Sequence, residues 1–199
     1  MSTVTAPSEL ARENALVRRA PHRNPRDRIL IYAGLAESAY LCGLYTFAGH
    51  PAVVVRPVPE PVAADQLIAL AEEQRSRHPD EADQVWCVLD AEGTDLARLR
   101  ARADEAGVRL AISHLCFESW LVLHQLDRAP EPGNRDGALR LLRKYLPDYD
   151  RLRLDFADFQ DGVQTAVAAA RSLDTDAPAN PSSGLWRLVA GILGPTSSG

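Results

Sequence analysis

Four short apolar runs, each followed by a segment of helical character, constrain the fold of this chain most strongly. The four runs are residues 29–32, 52–55, 85–89 and 108–113. Apolar residues at helical spacing fill the intervals between them, at 37–48, 63–77 and 94–106. Strands that alternate with helices, and that read as continuous apolar runs, are typical of a parallel sheet covered on both faces. The pattern predicts an α/β domain built on a mainly parallel four-stranded sheet.

The rest of the chain predicts extra helices after the sheet. They are an apolar helix over 115–126, a helix over 137–146, a long helix near 155–173 and a short closing helix at 186–193. A hydrophilic loop at 127–136 and a linker-like stretch at 174–184 interrupt them. The closing helix carries Trp186, Leu188 and Ile192, which can pack on the chain's own sheet or on a second subunit. A homo-oligomer is therefore one of two open alternatives.

Length and composition describe one ordinary globular domain, with 199 residues of which 46% are hydrophobic. We place the domain at 26–194, because residues 1–25 lack apolar periodicity and are expected to be disordered or loosely attached. No apolar run approaches the roughly 18 residues of a membrane span, and the N-terminus does not resemble a secretory signal. The three cysteines lie within apolar segments, so no disulfide framework is expected. These features predict a cytoplasmic protein without a membrane partner.

The basic residues are unevenly distributed on a chain whose net charge is −5. One group precedes the first strand, and a second group contains Arg143, Lys144 and Arg151. Local basic groups can bind phosphates on an acidic protein. The alternative is a solvated tail and a helix face laced with salt bridges.

Three of the four predicted strands deliver acidic side chains to their carboxyl ends. Glu37 follows the first strand, Asp90 and Glu92 follow the third, and Glu118 follows the fourth. Open parallel sheets bind ligands at this edge, and Mg²⁺ or Mn²⁺ prefers oxygen ligands. A divalent ion held there would neutralise phosphate charge and activate water.

Each acid also has a structural interpretation. Glu37 can lie in the first turn of a helix, and Asp90 with Glu92 can cap the next helix. Glu118 can pair with an arginine or with His114. His124 leaves its helix about 120° away from Glu118, so it is better interpreted as a core histidine than as a ligand.

Several segments together resemble one known family. Residues 113–124 read SHLCFESWLVLH and closely match the S-x-P-C-F-E-x-W-L-x-x-H element of the RloB-like family. Weaker matches are YAGLAESAY at 32–40 to its CEG-x-x-TE element, LDAE at 89–92 to its DxD element, and YLPDYDR at 145–151 to its Y-L-P-x-Y-x-K element. The closing NPSS and LV segments also match, so the resemblance covers about residues 26–194.

The resemblance implies a Toprim-like (Rossmannoid) fold and a role near bacterial restriction and phage-defence loci. It implies a metal-dependent nuclease in which Glu37, Asp90 and Glu118 are catalytic and, with Glu92, hold Mg²⁺ or Mn²⁺. Arg151, together with Arg143 and Lys144, would contact the phosphates of DNA or RNA.

This chain departs from the family pattern at three positions. The family glutamate before Gly34 is Ala33, the second acid of DxD is Glu92, and the family lysine is Arg151. Loss of a carboxylate weakens a metal site, and arginine does not transfer protons. Two further functional hypotheses therefore remain open in addition to the nuclease hypothesis. One is a non-cleaving scaffold subunit that partners an effector such as an ATPase, and the other is an α/β domain whose acids are purely structural.

Overall fold

The computed structural model describes residues 27–59, 61–91, 93–126, 134–173 and 183–194. The predicted tail at 1–25 and Glu92 lie outside these ranges, as do most of the loop at 127–136 and most of the linker at 174–184. In the described part of the chain, four strands and seven α-helices form an α/β Rossmann-like fold.

The sheet is formed by β1 (Ile29–Ala33), β2 (Val53–Pro57), β3 (Gln84–Asp90) and β4 (Arg109–Ser113). All three strand pairs are parallel, and the strand order is β2-β1-β3-β4. The predicted parallel four-stranded sheet is thereby confirmed. β2 runs to Pro57, two residues beyond the predicted end, because an edge strand tolerates a proline that cannot donate to a ladder.

Seven helices flank the sheet. They are α1 (Leu35–Phe47), α2 (Ala64–Arg77), α3 (Leu96–Ala106), α4 (Phe117–Val122), α5 (Arg135–Tyr145), α6 (Val163–Leu173) and α7 (Leu185–Leu193). The predicted end of α3 is confirmed, since Gly107 adopts the left-handed conformation with φ of 64°. None of the described helices is long and apolar enough to cross a bilayer.

Two helix predictions were wrong in extent. The apolar helix predicted over 115–126 is only the six-residue α4, because the amides of Leu123, His124 and Gln125 bond carbonyls three residues back. The long helix predicted near 155–173 begins only at Val163.

Three short 3₁₀ turns precede that helix. They are Arg151–Arg153, Phe156–Asp158 and Gln160–Gly162. The carboxylates of Asp150 and Asp155 accept backbone N–H bonds two residues on, which competes with regular helix.

Each face of the sheet has its own hydrophobic core, because alternate residues of a strand point to opposite faces. Ile29, Ile31 and Ala33 of β1 pack with α1, α4, α6 and α7. Leu30 and Tyr32 pack with α2 and α3 on the other face. Leu185, Leu188, Val189 and Ile192 of the closing helix are buried in the first core. The closing helix therefore docks on its own chain.

The strand order creates a switch point beside β1. The connection from β1 leads to β2 on one side, and the following connection leads to β3 on the other side. Ligands of open α/β sheets bind outside the carboxyl ends of the strands at such a point. In this chain the switch point lies between the ends of β1 and β3.

A glycine allows the 3₁₀ segment to pack against α1. A Cβ built on Gly43 would lie 2.1 Å from Cβ of Phe156, far inside van der Waals contact. Because glycine has no side chain, Phe156 is buried directly against the α1 backbone. This contact holds the second 3₁₀ turn, five residues after Arg151, against α1.

Candidate functional site

Three of the predicted acidic residues lie near the carboxyl edge of the sheet. Glu37 is in the first turn of α1, directly after β1. Asp90 is the last residue of β3, and Glu118 is in the first turn of α4, shortly after β4. Glu37 and Glu118 are buried, with exposures of 6% and 5%. Ionised carboxylates are rarely buried to this extent without partners.

The partner of both glutamates is the same arginine. Nη2 of Arg151 lies 2.8 Å from Oε1 of Glu37, and Nη1 lies 2.9 Å from Oε1 of Glu118. The two carboxylates come from α1 and α4, so one guanidinium joins two helices that are distant in sequence. Arginine suits this position because its planar fork offers parallel donors.

Asp90 has a different arginine as its partner. Nη2 of Arg135, in the first turn of α5, lies 2.5 Å from Oδ2 of Asp90. Burial, helped by the negative charges of Glu37 and Glu118 and opposed by the two arginines, raises the pKa of Asp90 from 3.8 to about 7. At neutral pH this carboxyl group therefore exists in both protonation states.

The environment of Glu118 favours the ionised form. Burial alone would raise the pKa of this carboxyl, but the charge and hydrogen bond of Arg151 hold it below its usual value. The hydroxyl of Tyr149 donates a long bond of 3.4 Å to Oε1 of Glu118. Oε2 of Glu118 is buried and has no hydrogen-bond partner among the described residues.

These five charged residues form what we call the carboxylate centre: Glu37, Asp90, Glu118, Arg135 and Arg151. A cavity of about 550 Å³ opens onto it at the switch point. Glu37, Asp90 and both arginines line this cavity. Glu118 does not, since Arg151 separates it from the open space. A second wall carries the bidentate ion pair between Arg98 and Asp65.

The other predicted site residues lie elsewhere. Glu92 is outside the described residues. Arg143 and Lys144 are exposed in the last turn of α5 and do not line the cavity. Arg151, expected to hold phosphate, has its guanidinium between two glutamates. Glu118 pairs with an arginine, which was one of the two structural interpretations of this residue.

His124 is a core residue, as its position on the apolar segment indicated. It is buried, its Nε2 lies 2.8 Å from the Tyr40 hydroxyl, and its Nδ1 lies 3.1 Å from the Trp120 carbonyl. Burial lowers the pKa of His124 to about 4, so the ring is neutral at physiological pH. Edge-to-face contacts with Tyr40, Trp120 and Phe159 complete the cluster.

The described acids of the carboxylate centre are not grouped around a single divalent ion. Their donor chemistry is suitable, since carboxylate oxygens are the ligands that Mg²⁺ and Mn²⁺ prefer. However, no three His, Cys, Asp or Glu side chains in the described part of the chain approach closely enough to hold one metal. The guanidinium of Arg151 occupies the space between two of the acids. We therefore derive no chemical step through a metal.

A comparison with models of protein families shows which family this chain belongs to. The model of the family described as RloB-like protein matches residues 32–192, which is most of the chain. The chain belongs to the RloB-like family. Searches among curated proteins and among solved structures gave no match.

The RloB-like motif around Glu118 serves two purposes in this fold. Its glutamate joins the carboxylate centre, whereas its tryptophan and histidine are buried in the core. The position of the missing RloB-like glutamate, Ala33, is fully buried at the end of β1. Ala33 shares a sheet face with Trp86 and Val88 of β3, and by alternation with Asp90.

Two contributors to the centre were not identified from sequence. They are Arg135, which pairs with Asp90, and Tyr149, which bonds Glu118 and belongs to the YLPDYDR segment. The one signal pointing to them is general: a buried acid requires a partner, and both residues lie in the helical region after α4. Nothing in the local sequence selects them among the neighbouring arginines and tyrosines.

Proposed function

We propose that this RloB-like protein acts on phosphodiester bonds of nucleic acid in bacterial defence against phage. The observation that supports this most is the meeting of three carboxylates and two guanidiniums at the carboxylate centre, four of whose five residues line the switch-point cavity. They come from five separate segments, namely α1, the end of β3, α4, α5 and the 3₁₀ turn at 151–153. Such convergence of perturbed acids in a cleft is typical of catalytic sites.

In this proposal Asp90 is the proton-transfer group. A general acid or base works best when its pKa lies near the working pH, and the pKa of Asp90 is about 7. Arg135 is half-exposed beside it and faces the cavity, where its guanidinium can contact a phosphate oxygen. The centre holds three carboxylates against two guanidiniums, so protonation of Asp90 brings it to electrical balance.

The guanidinium of Arg151 lines the cavity while it is bonded to Glu37 and Glu118. A phosphate that enters the cavity would compete with these two acids for its N–H donors. A substrate phosphate is the natural competitor, because it offers the guanidinium an equivalent bidentate partner. Mg²⁺ or Mn²⁺ remains part of the proposal only as a condition to be varied in the assay.

The test is a cleavage assay on mixed single-stranded and double-stranded DNA and RNA. Wild-type protein is compared with Asp90→Ala and with the exposed control Asp148→Ala, each with Mg²⁺, with Mn²⁺ and with a chelator. We expect cleavage by wild type and Asp148→Ala and a loss of about 100-fold or more in Asp90→Ala. Full cleavage by folded Asp90→Ala would remove Asp90 from the chemistry.

A second candidate is a non-cleaving subunit that binds nucleic acid or a separate effector, such as an ATPase. Two observations favour it: the buried Ala33 in place of the family glutamate, and the use of Arg151 as counter-ion to two acids. If the protein is such a non-cleaving subunit, the wild-type protein cleaves no nucleic acid with Mg²⁺, with Mn²⁺ or with a chelator. Ala33→Glu then tests the scaffold, because gain of metal-dependent nicking would mean that the remaining acids are aligned for chemistry.

A further inference from the structure

A second cavity lies along β4, at the opposite edge of the sheet from β2. It has a volume of about 400 Å³ and extends between α3 and α7. We call it the edge pocket; its lining includes Arg100 of α3, Arg109 of β4, and Arg187 of α7. None of the residues of the carboxylate centre lines it. The edge pocket is therefore a separate feature of the surface.

The edge pocket is basic on a protein that is acidic overall. Among the described residues, its lining contains three arginines and His114 against one carboxylate, Asp104, whereas the whole chain carries a net charge of −5. Guanidiniums from three different elements facing one concavity attract anions, because low-dielectric walls concentrate the field there.

Two of these arginines are held in place by aromatic rings. The guanidinium of Arg109 lies 5.6 Å from the Trp86 ring and donates a bond of 2.8 Å to Gln84. The guanidinium of Arg187 lies 5.0 Å from the Trp186 ring. Stacking on an indole limits the rotamers of a long side chain, so less freedom is lost when it binds a ligand.

The walls between the arginines are apolar. Leu110 and Ile112 of β4 contribute to the lining together with Val108, which precedes that strand, and Trp86. The volume lies within the range of small-ligand sites, which are mostly apolar with a few converging polar groups. A ligand that matches both parts has an anionic group for the guanidiniums and a flat, weakly polar body for the apolar wall.

We infer that the edge pocket binds a phosphate-bearing ligand of the size of a nucleoside monophosphate. Phosphate is favoured over a carboxylate because three guanidinium forks can share its several oxygens, whereas a single carboxylate offers two. The strand edge beside the pocket is already partly covered, since Gly184 donates to the Ile112 carbonyl and Ser183 bridges Ser113. An added peptide strand therefore does not fit this edge as well as a compact ligand does.

The experiment is calorimetric titration of the full chain at low salt with AMP, CMP and inorganic phosphate. We expect both nucleotides to bind, more tightly than phosphate alone, and Arg109→Ala or Arg187→Ala to weaken binding about tenfold each. Arg109→Lys keeps the charge but not the fork, so it should also weaken nucleotide binding. Arg140→Ala, an exposed arginine of α5 outside the pocket, is the control and should bind as wild type does.

A second measurement needs no variant at the pocket. In a ¹⁵N-labelled sample, AMP should shift the indole N–H signal of Trp86, which lines the pocket, and leave that of the buried Trp120 unchanged. Asp90→Ala should retain AMP binding, so failure of the proposed function leaves this inference intact. No heat with any of the three compounds, or unchanged binding in both arginine variants, would overturn it.

Discussion

The same two segments of the chain meet at two buried polar contacts of opposite character. At one contact Glu37 of α1 and Glu118 of α4 are joined through the guanidinium of Arg151. At the other, Tyr40 of α1 bonds His124, just after α4, and the pair is neutral and enclosed by aromatic rings. The ionic contact borders an open cavity, whereas the neutral contact is closed to solvent. The charged residues thus lie beside the open cavity, whereas the neutral hydrogen bond lies in the closed core.

The largest effect is expected from removing the shared guanidinium. Arg151→Met leaves two buried carboxylates without their counter-ion, and we expect it to lower the free energy of unfolding by about 3 kcal/mol at pH 7.5. Urea unfolding measures this. The matched control is Arg153→Met, since Arg153 is exposed in the same 3₁₀ turn. If the two variants were equally stable, Glu37 and Glu118 would not depend on Arg151.

The next effect concerns the pH dependence at Asp90. Because the folded-state pKa is raised from 3.8 to about 7, the folded state binds more protons than the unfolded state between these values. The contribution of Asp90 to stability is therefore present at low pH and lost as pH rises through 7. Asp90→Asn mimics the protonated form, and we expect it to exceed wild type in stability by about 2 kcal/mol at pH 8.

That advantage should disappear as pH is lowered to 4, as followed by thermal or urea unfolding across the range. Asp148→Asn is the control, because Asp148 is exposed and lies outside the centre. If Asp90→Asn were instead less stable than wild type at pH 8, and this deficit shrank toward acid pH, Asp90 would be stabilised as a carboxylate in the folded protein.

A smaller effect is expected at the neutral contact. Tyr40→Phe removes the hydroxyl bonded to His124 and keeps the ring, so we expect a loss of about 1–2 kcal/mol. Nucleic-acid cleavage, where present, should be unchanged, since neither residue lines the cavity. Tyr145→Phe is a suitable control, because Tyr145 is exposed. If Tyr40→Phe lost cleavage but stayed as stable as wild type, the neutral contact would contribute to function as well as to packing.

The smallest effect is expected at the exposed end of α5. Arg143→Ala and Lys144→Ala should change the free energy of unfolding by less than about 0.5 kcal/mol, since both side chains are exposed. If they contact nucleic-acid phosphates as first predicted, the salt dependence of binding should become shallower by about one unit per residue. An unchanged salt dependence would exclude both residues from the interface.

The sequence predicted the sheet well because its signals are local. Each strand is a continuous apolar run. Gly107 ends its helix through its own backbone conformation, which does not depend on what the helix packs against. The placement of Glu37, Asp90 and Glu118 near one edge followed from parallel topology alone. The lengths of α4 and α6 were mistaken, because short-range turns and side-chain bonds from Asp150 and Asp155 compete with helical periodicity.

The partners within the site could not be read from the sequence. Glu37 and Arg151 are 114 residues apart, and Asp90 and Arg135 are 45 apart, so their pairing depends on the finished fold. Arg151 was expected to bind phosphate because a basic residue near a predicted site has that use. Only the folded structure distinguishes an arginine that neutralises buried acids from one that faces an incoming ligand.

The contact between Gly43 and Phe156 gives the protein a remote point of control over its charged groups. Phe156 follows Arg151 by five residues, so a methyl group introduced at Gly43 would push that stretch outward from α1. The guanidinium would then move relative to Glu37, although no ionisable residue had been altered. Substitution at this one uncharged position offers a way to loosen the ion pairs of Arg151 with Glu37 and Glu118 without altering any charged residue.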